Sequence, residues 1–256
     1  MVRWSALLAL LLLGCDVGSA PSSRNVEHAL TELGAELGGR EVKVLATEGG
    51  ESILGARSVA LPDTDSPTTW ELFRYRAGHE RATPLGLTAL LATPTPAGVL
   101  VVATDRSLLR LDARGWRRIA TNVLGRPAVL GSRLVISRAG DEPGQSELVV
   151  IEPSGSLRTL APAPGPDDLP IALPDGRVAF VSGRTGVASL WVVHPDRGAA
   201  EQLTNRGVTP GRGLVGFVPP PATVLSVDAV GIEYDDGEGG VHVVDHRSGV
   251  TVRRQP

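Results

Sequence analysis

The chain alternates short apolar runs with turns rich in glycine, proline and aspartate over most of its length. One stretch, residues 26–37, has a helical period instead, because its apolar side chains recur at the spacing of one helix face: Val26, Leu30, Leu33 and Leu37. After Gly39 the runs are rich in valine and leucine, which favours strands; those we expect are residues 41–46, 99–104, 134–137, 178–182, 190–194 and 241–245. Since no helical pattern separates them, parallel β-α-β units are not expected.

The strands form a repeat that becomes visible when the turns are aligned. Four segments have an apolar strand, a short polar turn and a glycine, and a weaker fifth precedes them; their glycines are Gly78, Gly115, Gly155, Gly198 and Gly249. Successive glycines stand 37, 40, 43 and 51 residues apart. A period of about 40–45 residues with several strands in each is typical of a β-propeller blade.

The repeat predicts an all-β fold, a β-propeller of about five to six four-stranded blades with one short N-terminal helix, in residues 25–256. A single blade is too small to bury both of its faces, so blades must stack on one another. We hypothesise that residues 41–46 pair with the last blade and close the ring.

The N-terminus has the profile of a signal peptide. Arg3 is followed by a ten-residue apolar run, residues 4–13, which is about half the length that a membrane-spanning helix needs. Cys15, the only cysteine, follows Leu12-Leu13-Gly14, and this sequence resembles the bacterial lipobox. We expect a signal peptide at 1–14, a lipid-anchored tether at 15–24, and a membrane anchor through acylated Cys15. The alternative is ordinary secretion with cleavage after Ala20.

Charge and composition exclude one class of partner. Lys+Arg 25 against Asp+Glu 28 gives a net charge of -3, and Lys43 is the only lysine. Nucleic-acid binding would require a clustered basic face, so no nucleic acid is expected as a partner.

Residues 174–204 carry the most regular copy of the repeat. They begin with Pro174-Asp175-Gly176, continue through a strand that ends at Ser182-Gly183-Arg184 and a second strand at 190–193, and close with Leu203-Thr204. This unit resembles the TolB-like β-propeller repeat, although Gly183 and Thr185 stand where aspartate is common. The resemblance implies the propeller fold. It does not extend to the separate N-terminal α/β domain of that family, because helix 26–37 is too short to replace it.

The chain has none of the local motifs of nucleophilic, phosphate-binding or zinc-hydrolase sites. His242 and His246 are four residues apart, which on a strand separates them by about 13 Å. The loop at 234–240 holds three carboxylates without the ordered spacing of a calcium loop, and we interpret it as a solvated hairpin tip. We interpret Asp167-Asp168, in a stretch rich in proline and glycine, as a solvated loop between blades. No cofactor and no metal are therefore expected.

Propeller sites collect at the channel mouth, on loops between the second and third strands of a blade and between blades. The alignment places at this mouth the candidate binding residues Asp105, Arg106, Asp141, Glu142, Arg184, Arg206, Arg212, Asp235 and Asp236, together with Asp167, Asp168 and Glu238. A mouth of mixed charge suits binding of a protein or a ligand.

These observations predict a bacterial cell-envelope lipoprotein whose propeller lies in the periplasm or at the cell surface. It would act as a protein-binding or scaffolding module, with another envelope protein or a small ligand as partner. The alternative is a propeller enzyme, a hydrolase or lyase of envelope carbohydrate or lactone substrates, with its site at the channel mouth. A structural spacer without a specific ligand is a third hypothesis.

Overall fold

A computed structural model describes residues 23–48, 51–57, 69–76, 79, 81–112, 115–186, 188–204, 224–228, 231–235 and 240–253. They form one helix, α1 (Ser23–Glu36), and nineteen strands. The strands are β1 (Val42–Glu48), β2 (Glu51–Arg57), β3 (Trp70–Arg76), β4 (Thr83–Thr95), β5 (Gly98–Ala103), β6 (Leu108–Asp112), β7 (Gly115–Ala120), β8 (Val123–Leu130), β9 (Arg133–Ala139), β10 (Ser146–Ile151), β11 (Leu157–Leu160), β12 (Asp167–Ala172), β13 (Val178–Ser182), β14 (Ser189–Val193), β15 (Ala200–Gln202), β16 (Val224–Val227), β17 (Gly231–Asp235), β18 (Val241–Asp245) and β19 (Thr251–Arg253).

The strands pair antiparallel into a seven-stranded sheet, β1 to β7, and three four-stranded sheets, β8 to β11, β12 to β15 and β16 to β19. The large sheet is two units that share β4, a strand of 13 residues. The first half of β4 pairs with β3 and the second half with β5, and Ala89 is opposite both Trp70 and Ala103. The first half of β4 completes the unit that begins with β1, and its second half begins the unit that ends with β7. Together with the three four-stranded sheets, the described strands therefore form five four-stranded units, which we number blades 1 to 5 in chain order. The predicted all-β propeller architecture is confirmed.

The core lies between successive blades. An apolar cluster joins each blade to the next, with Leu72 and Val101 between blades 1 and 2, Leu100 and Ile136 between 2 and 3, Leu148 and Phe180 between 3 and 4, and Val181 and Ile232 between 4 and 5. Strands buried on both faces read as continuous apolar runs, as in β5 and β13, all of whose residues are buried. Each blade is therefore stabilised by its neighbours.

Helix α1 packs on the outer face of blade 1, where Ala29 and Leu33 contact a cluster that includes Leu54 and Phe73. The predicted helix is confirmed, with bounds shifted by one to three residues.

All six expected strands are present, although the hypothesis that residues 41–46 close the ring is wrong. These residues lie mostly in β1, which pairs with β2; only two residues separate the two strands, and this short connection favours a local hairpin over pairing with a distant blade.

Alternation of strand direction divides the loops between two sides of the fold. We call the mouth face the side that carries the loops between the second and third strands of each blade and the links to the next blade. The base face carries the other two hairpins of each blade. Within the ranges given above, no helix is both long enough and apolar enough to cross a lipid bilayer.

Candidate functional site

The mouth face holds those predicted binding residues that the structure describes. Asp105 and Arg106 lie between β5 and β6, Asp141 and Glu142 lie between β9 and β10, and Arg184 follows β13. Asp235 is the last residue of β17. The other predicted site residues fall outside the described ranges: Cys15, Arg206, Arg212, Asp236 and Glu238.

The loop of blade 2 is held in place by its own aspartate. The Asp105 carboxylate accepts hydrogen bonds from the Ser107 backbone N–H (2.9 Å) and the Ser107 hydroxyl (3.0 Å). These two bonds, with a smaller contribution from Arg118, hold the pKa of Asp105 below its usual value. Arg106 has a positive φ of 62°, and its carbonyl accepts a hydrogen bond from the Val123 N–H (3.0 Å), which ties this loop to blade 3.

The loop of blade 3 presents its acids to solvent. Gly140 N–H donates to the Gln145 carbonyl (2.9 Å), and Gln145 N–H donates to the Glu142 carbonyl (3.1 Å). The backbone of this loop is therefore closed on itself, while Asp141 and Glu142 are both exposed. Two adjacent carboxylates on a fixed loop form a small negative surface.

The link from blade 3 to blade 4 ends in a buried pair of acids. Asp167 and Asp168 are the first residues of β12 and are only 2% and 4% exposed, so the interpretation of this pair as a solvated loop is wrong. Asp167 is opposite Ser182 of β13, and Asp168 is opposite Val181. The pair thus belongs to the inner strand of blade 4 rather than to a surface loop.

Arg184 compensates the charge of Asp167. One terminal nitrogen of Arg184 donates to Asp167 Oδ2 (2.8 Å) and to the Ala161 carbonyl (3.1 Å), and Nε donates to the Ser182 hydroxyl (2.9 Å). The guanidinium also lies over the rings of Phe180 and Trp191, at 5.1 and 4.8 Å, a favourable cation–π geometry. Arg184 therefore makes its hydrogen bonds and ring contacts within the protein.

Burial dominates the electrostatics of both acids. It raises the pKa of Asp167, against the opposing effects of Ser182 and Arg184. It raises the pKa of Asp168 to about 6, although the Leu169 N–H donates to its Oδ1 (2.8 Å). Asp168 consequently changes protonation close to neutral pH, the range in which a carboxyl can act as an acid or a base.

The backbone around the acid pair is anchored to blade 3. The hydroxyls of Ser137 and Ser146 both donate to the Asp167 carbonyl, at 2.9 and 3.0 Å. Leu169 has a positive φ of 55°, a strained conformation for a leucine. The sequence signal for the buried acids was a serine at the end of an apolar strand, at Ser137 and again at Ser182. A buried hydroxyl needs a hydrogen-bond partner, and here both serines bond to Asp167.

The histidines on the base face have structural contacts. His246 is fully buried; Arg177 donates to its carbonyl (2.8 Å), and Asp175 lies 3.5 Å from its Nδ1. This network joins blades 4 and 5 at the base. Among the residues that the structure describes, no group of three or more His, Cys, Asp or Glu side chains is arranged to hold a metal ion.

No known family model matches the sequence. Solved structures resemble the fold: the TolB-type protein of Agrobacterium tumefaciens (15% identity, TM-score 0.51, 84% of this chain and 80% of that one) and TolB of Acinetobacter baumannii (15%, 0.50, 91% and 59%). An oligogalacturonate lyase in complex with manganese is also similar (14%, 0.54, 84% and 69%). The fold is thus that of TolB-like β-propellers, and it is shared with an enzyme, so the fold alone does not assign a role.

Proposed function

We propose that the protein is a cell-envelope lipoprotein whose propeller is a protein-binding or scaffolding module, and that its partner docks on the mouth face. The observation that carries this proposal is that the acids of the mouth face differ in exposure to solvent. Asp167 and Asp168, the adjacent acids of β12, are buried, whereas Asp105, Asp141 and Glu142 are exposed on loops of two different blades. Hydrolytic chemistry by paired acids needs both groups to reach one substrate.

The fixed loops support recognition of another protein. Asp105 is bonded to its own loop, and the loop of Asp141 and Glu142 is closed by backbone hydrogen bonds, so little conformational entropy is lost on binding. Three exposed carboxylates on neighbouring blades suit a basic surface on the partner, because complementary charge steers association and sets its specificity.

The proposal is tested by co-purification from detergent-extracted membranes after reversible crosslinking. Asp141→Arg reverses the charge on the mouth face, and we expect it to reduce the recovery of the partner. The control is Ser132→Arg, which adds an arginine to the exposed turn between β8 and β9, on the base face of the same blade, and should leave recovery unchanged. Equal recovery with both variants contradicts a mouth-face interface.

The envelope location rests on the N-terminal sequence. The lipobox-like Leu12-Leu13-Gly14-Cys15 supports acylation of Cys15, and a multiply acylated residue gives stable membrane attachment. We expect Cys15→Ser to move the protein from the membrane fraction to the aqueous phase of a detergent phase separation and to abolish labelling by radioactive palmitate. Unchanged partition of the variant contradicts the anchor.

A propeller hydrolase or lyase acting on carbohydrate or lactone substrates is the second candidate, favoured by Asp168, whose pKa burial raises to about 6. An oligogalacturonate lyase with bound manganese shares the fold. Because Asp168 is only 4% exposed, a site of this kind would require a local rearrangement that brings its carboxyl to the surface. A change in Tm on adding Mn²⁺ and oligogalacturonate that Asp168→Asn removes would favour the enzyme; an unchanged Tm favours the binding module.

A further inference from the structure

Two arginines lie side by side where blades 2 and 3 meet. Arg110 of β6 and Arg117 of β7 are direct cross-strand partners, and Arg110 is also opposite Leu100 of β5. Leu100 belongs to the apolar cluster that blade 2 shares with blade 3. Because cross-strand partners share a face of the sheet, both arginines lie on the face of blade 2 that is turned to blade 3.

Among the described residues, neither guanidinium of this pair forms an ion pair with a carboxylate, although Asp112 lies two residues from Arg110 on the same face of β6. Arg118 differs, because it lies 3.8 Å from Asp105 Oδ2. Like charges directly opposite each other destabilise a sheet. Arg110 Nε is buried without a hydrogen-bond acceptor among the described residues, but the residue as a whole is only half-buried. Arg110 is therefore available to bind an anion.

Blade 3 has an exposed apolar side chain on the face that is turned to blade 2. Leu157 of β11 is opposite Ile151, and Ile151 belongs to the same cluster between blades 2 and 3. Leu157 therefore lies on the face of blade 3 that is turned to blade 2, and it is 47% exposed. Strands β7 and β11 are the last strands of their sheets, so this groove opens at the outer rim of the propeller.

We propose that this arginine groove, formed by Arg110, Arg117 and Leu157, binds an acidic, extended segment of a partner protein. Guanidinium groups bind carboxylates through two parallel hydrogen bonds, which matches closely spaced Asp or Glu side chains. Among the described residues, no strand pairs with the outer edge of β7 or β11, and such an edge can pair with an extended backbone. Leu157 offers a contact for an apolar side chain. These features favour a peptide over a free anion. The groove is separate from the mouth face, so the two sites can be tested independently.

The test is fluorescence anisotropy with the purified chain and a labelled peptide of alternating glutamate and leucine, compared with the same peptide in which glutamine replaces glutamate. We expect the glutamate peptide to bind at least about tenfold more tightly, with an affinity that falls as salt is added. Arg117→Gln should weaken binding by about tenfold or more. Arg118→Gln removes the same charge from the same strand and should change the affinity by less than about twofold.

Arg117 is exposed, so its substitution does not threaten the fold, and urea unfolding of both variants checks this. Equal weakening by Arg117→Gln and Arg118→Gln, or no preference for the glutamate peptide, overturns the proposal. Binding of phosphatidylglycerol vesicles through Arg117 without binding of the peptide also overturns it and assigns the groove to a membrane surface. Asp141→Arg should leave peptide binding intact, which separates a failure here from a failure of the mouth-face interface.

Discussion

At the scale of single residues, the buried acids of β12 differ most from what the sequence predicts, because a solvated loop is expected there. Asp167 is compensated by Arg184 at 2.8 Å, but among the described residues the Asp168 carboxyl has only the Leu169 N–H and the Ser137 hydroxyl as partners. Burying an acid without a countercharge favours its protonated form. The fold therefore carries an electrostatic cost at neutral pH that it does not carry below pH 4.

We predict that Asp168→Asn stabilises the protein at pH 7 and not at pH 4. The folded state holds the proton on Asp168 up to about pH 6, whereas the unfolded state releases it near pH 3.9. Stability contributed by the protonated acid is complete below about pH 4 and is lost as pH rises to about 6. The gain of the variant over the wild type should grow across this window toward about 3 kcal/mol.

Urea unfolding at pH 4, 5, 6 and 7 measures this gain. The control is Asp141→Asn, an exposed acid on the same face, whose effect on the free energy of unfolding should be nearly constant with pH. A gain for Asp168→Asn that shrinks as pH rises contradicts the assignment of the raised pKa to this residue.

At the scale of elements, the strands within each unit are joined by tight turns, and some of these turns require glycine. The turn from β4 to β5 is the sharpest case. Gly98 has a φ of 116°, and a Cβ at this position would overlap the Leu111 carbonyl oxygen of β6. Gly131, in the corresponding turn of blade 3, has a φ of 59° with open space around it. A side chain at position 98 would both clash with β6 and have to adopt a positive φ, whereas a side chain at position 131 would only have to adopt a positive φ.

We predict that Gly98→Ala destabilises the protein far more than Gly131→Ala. The left-handed conformation alone costs about 1–2 kcal/mol for alanine, and that is the expected loss at Gly131. At Gly98 the clash with the backbone of β6 adds to it, and a loss of roughly twice that size or more is expected. Urea unfolding curves measure both; equal losses contradict the structural difference between the two turns.

Much of this element structure could be predicted from the sequence, because strands buried on both faces appear as continuous apolar runs. Residues 178–182 and 241–245 have the same bounds as the observed β13 and β18. Strand β4 could not be predicted in this way, since Pro84 and Gly86 interrupt its pattern, and tertiary pairing with β3 and β5 outweighs local preference. The burial of Asp167 and Asp168 likewise depends on Arg184 and Ser137, which are distant in sequence.

At the scale of the whole molecule, the five blades of the described part of the chain bury their apolar faces against one another in chain order, and α1 covers the outer face of blade 1. Polar contacts reinforce this stacking at the base, where Arg133 of blade 3 donates to Asp196 of blade 4 (2.7 Å). The same stacking brings the described loops of blades 2, 3 and 4 to the mouth face. Loops from several stacked blades on one face suit a module that holds another protein.

The most direct measurement of the proposed role is site-specific photo-crosslinking in living cells, with benzoylphenylalanine placed at Glu142 on the mouth face or at Pro153 on the base face, both exposed. We predict that the Glu142 position yields one discrete adduct with another envelope protein, identified by mass spectrometry, and that the Pro153 position yields none. Adducts of equal strength from both positions, or no adduct from either, would contradict a binding module that docks its partner on the mouth face.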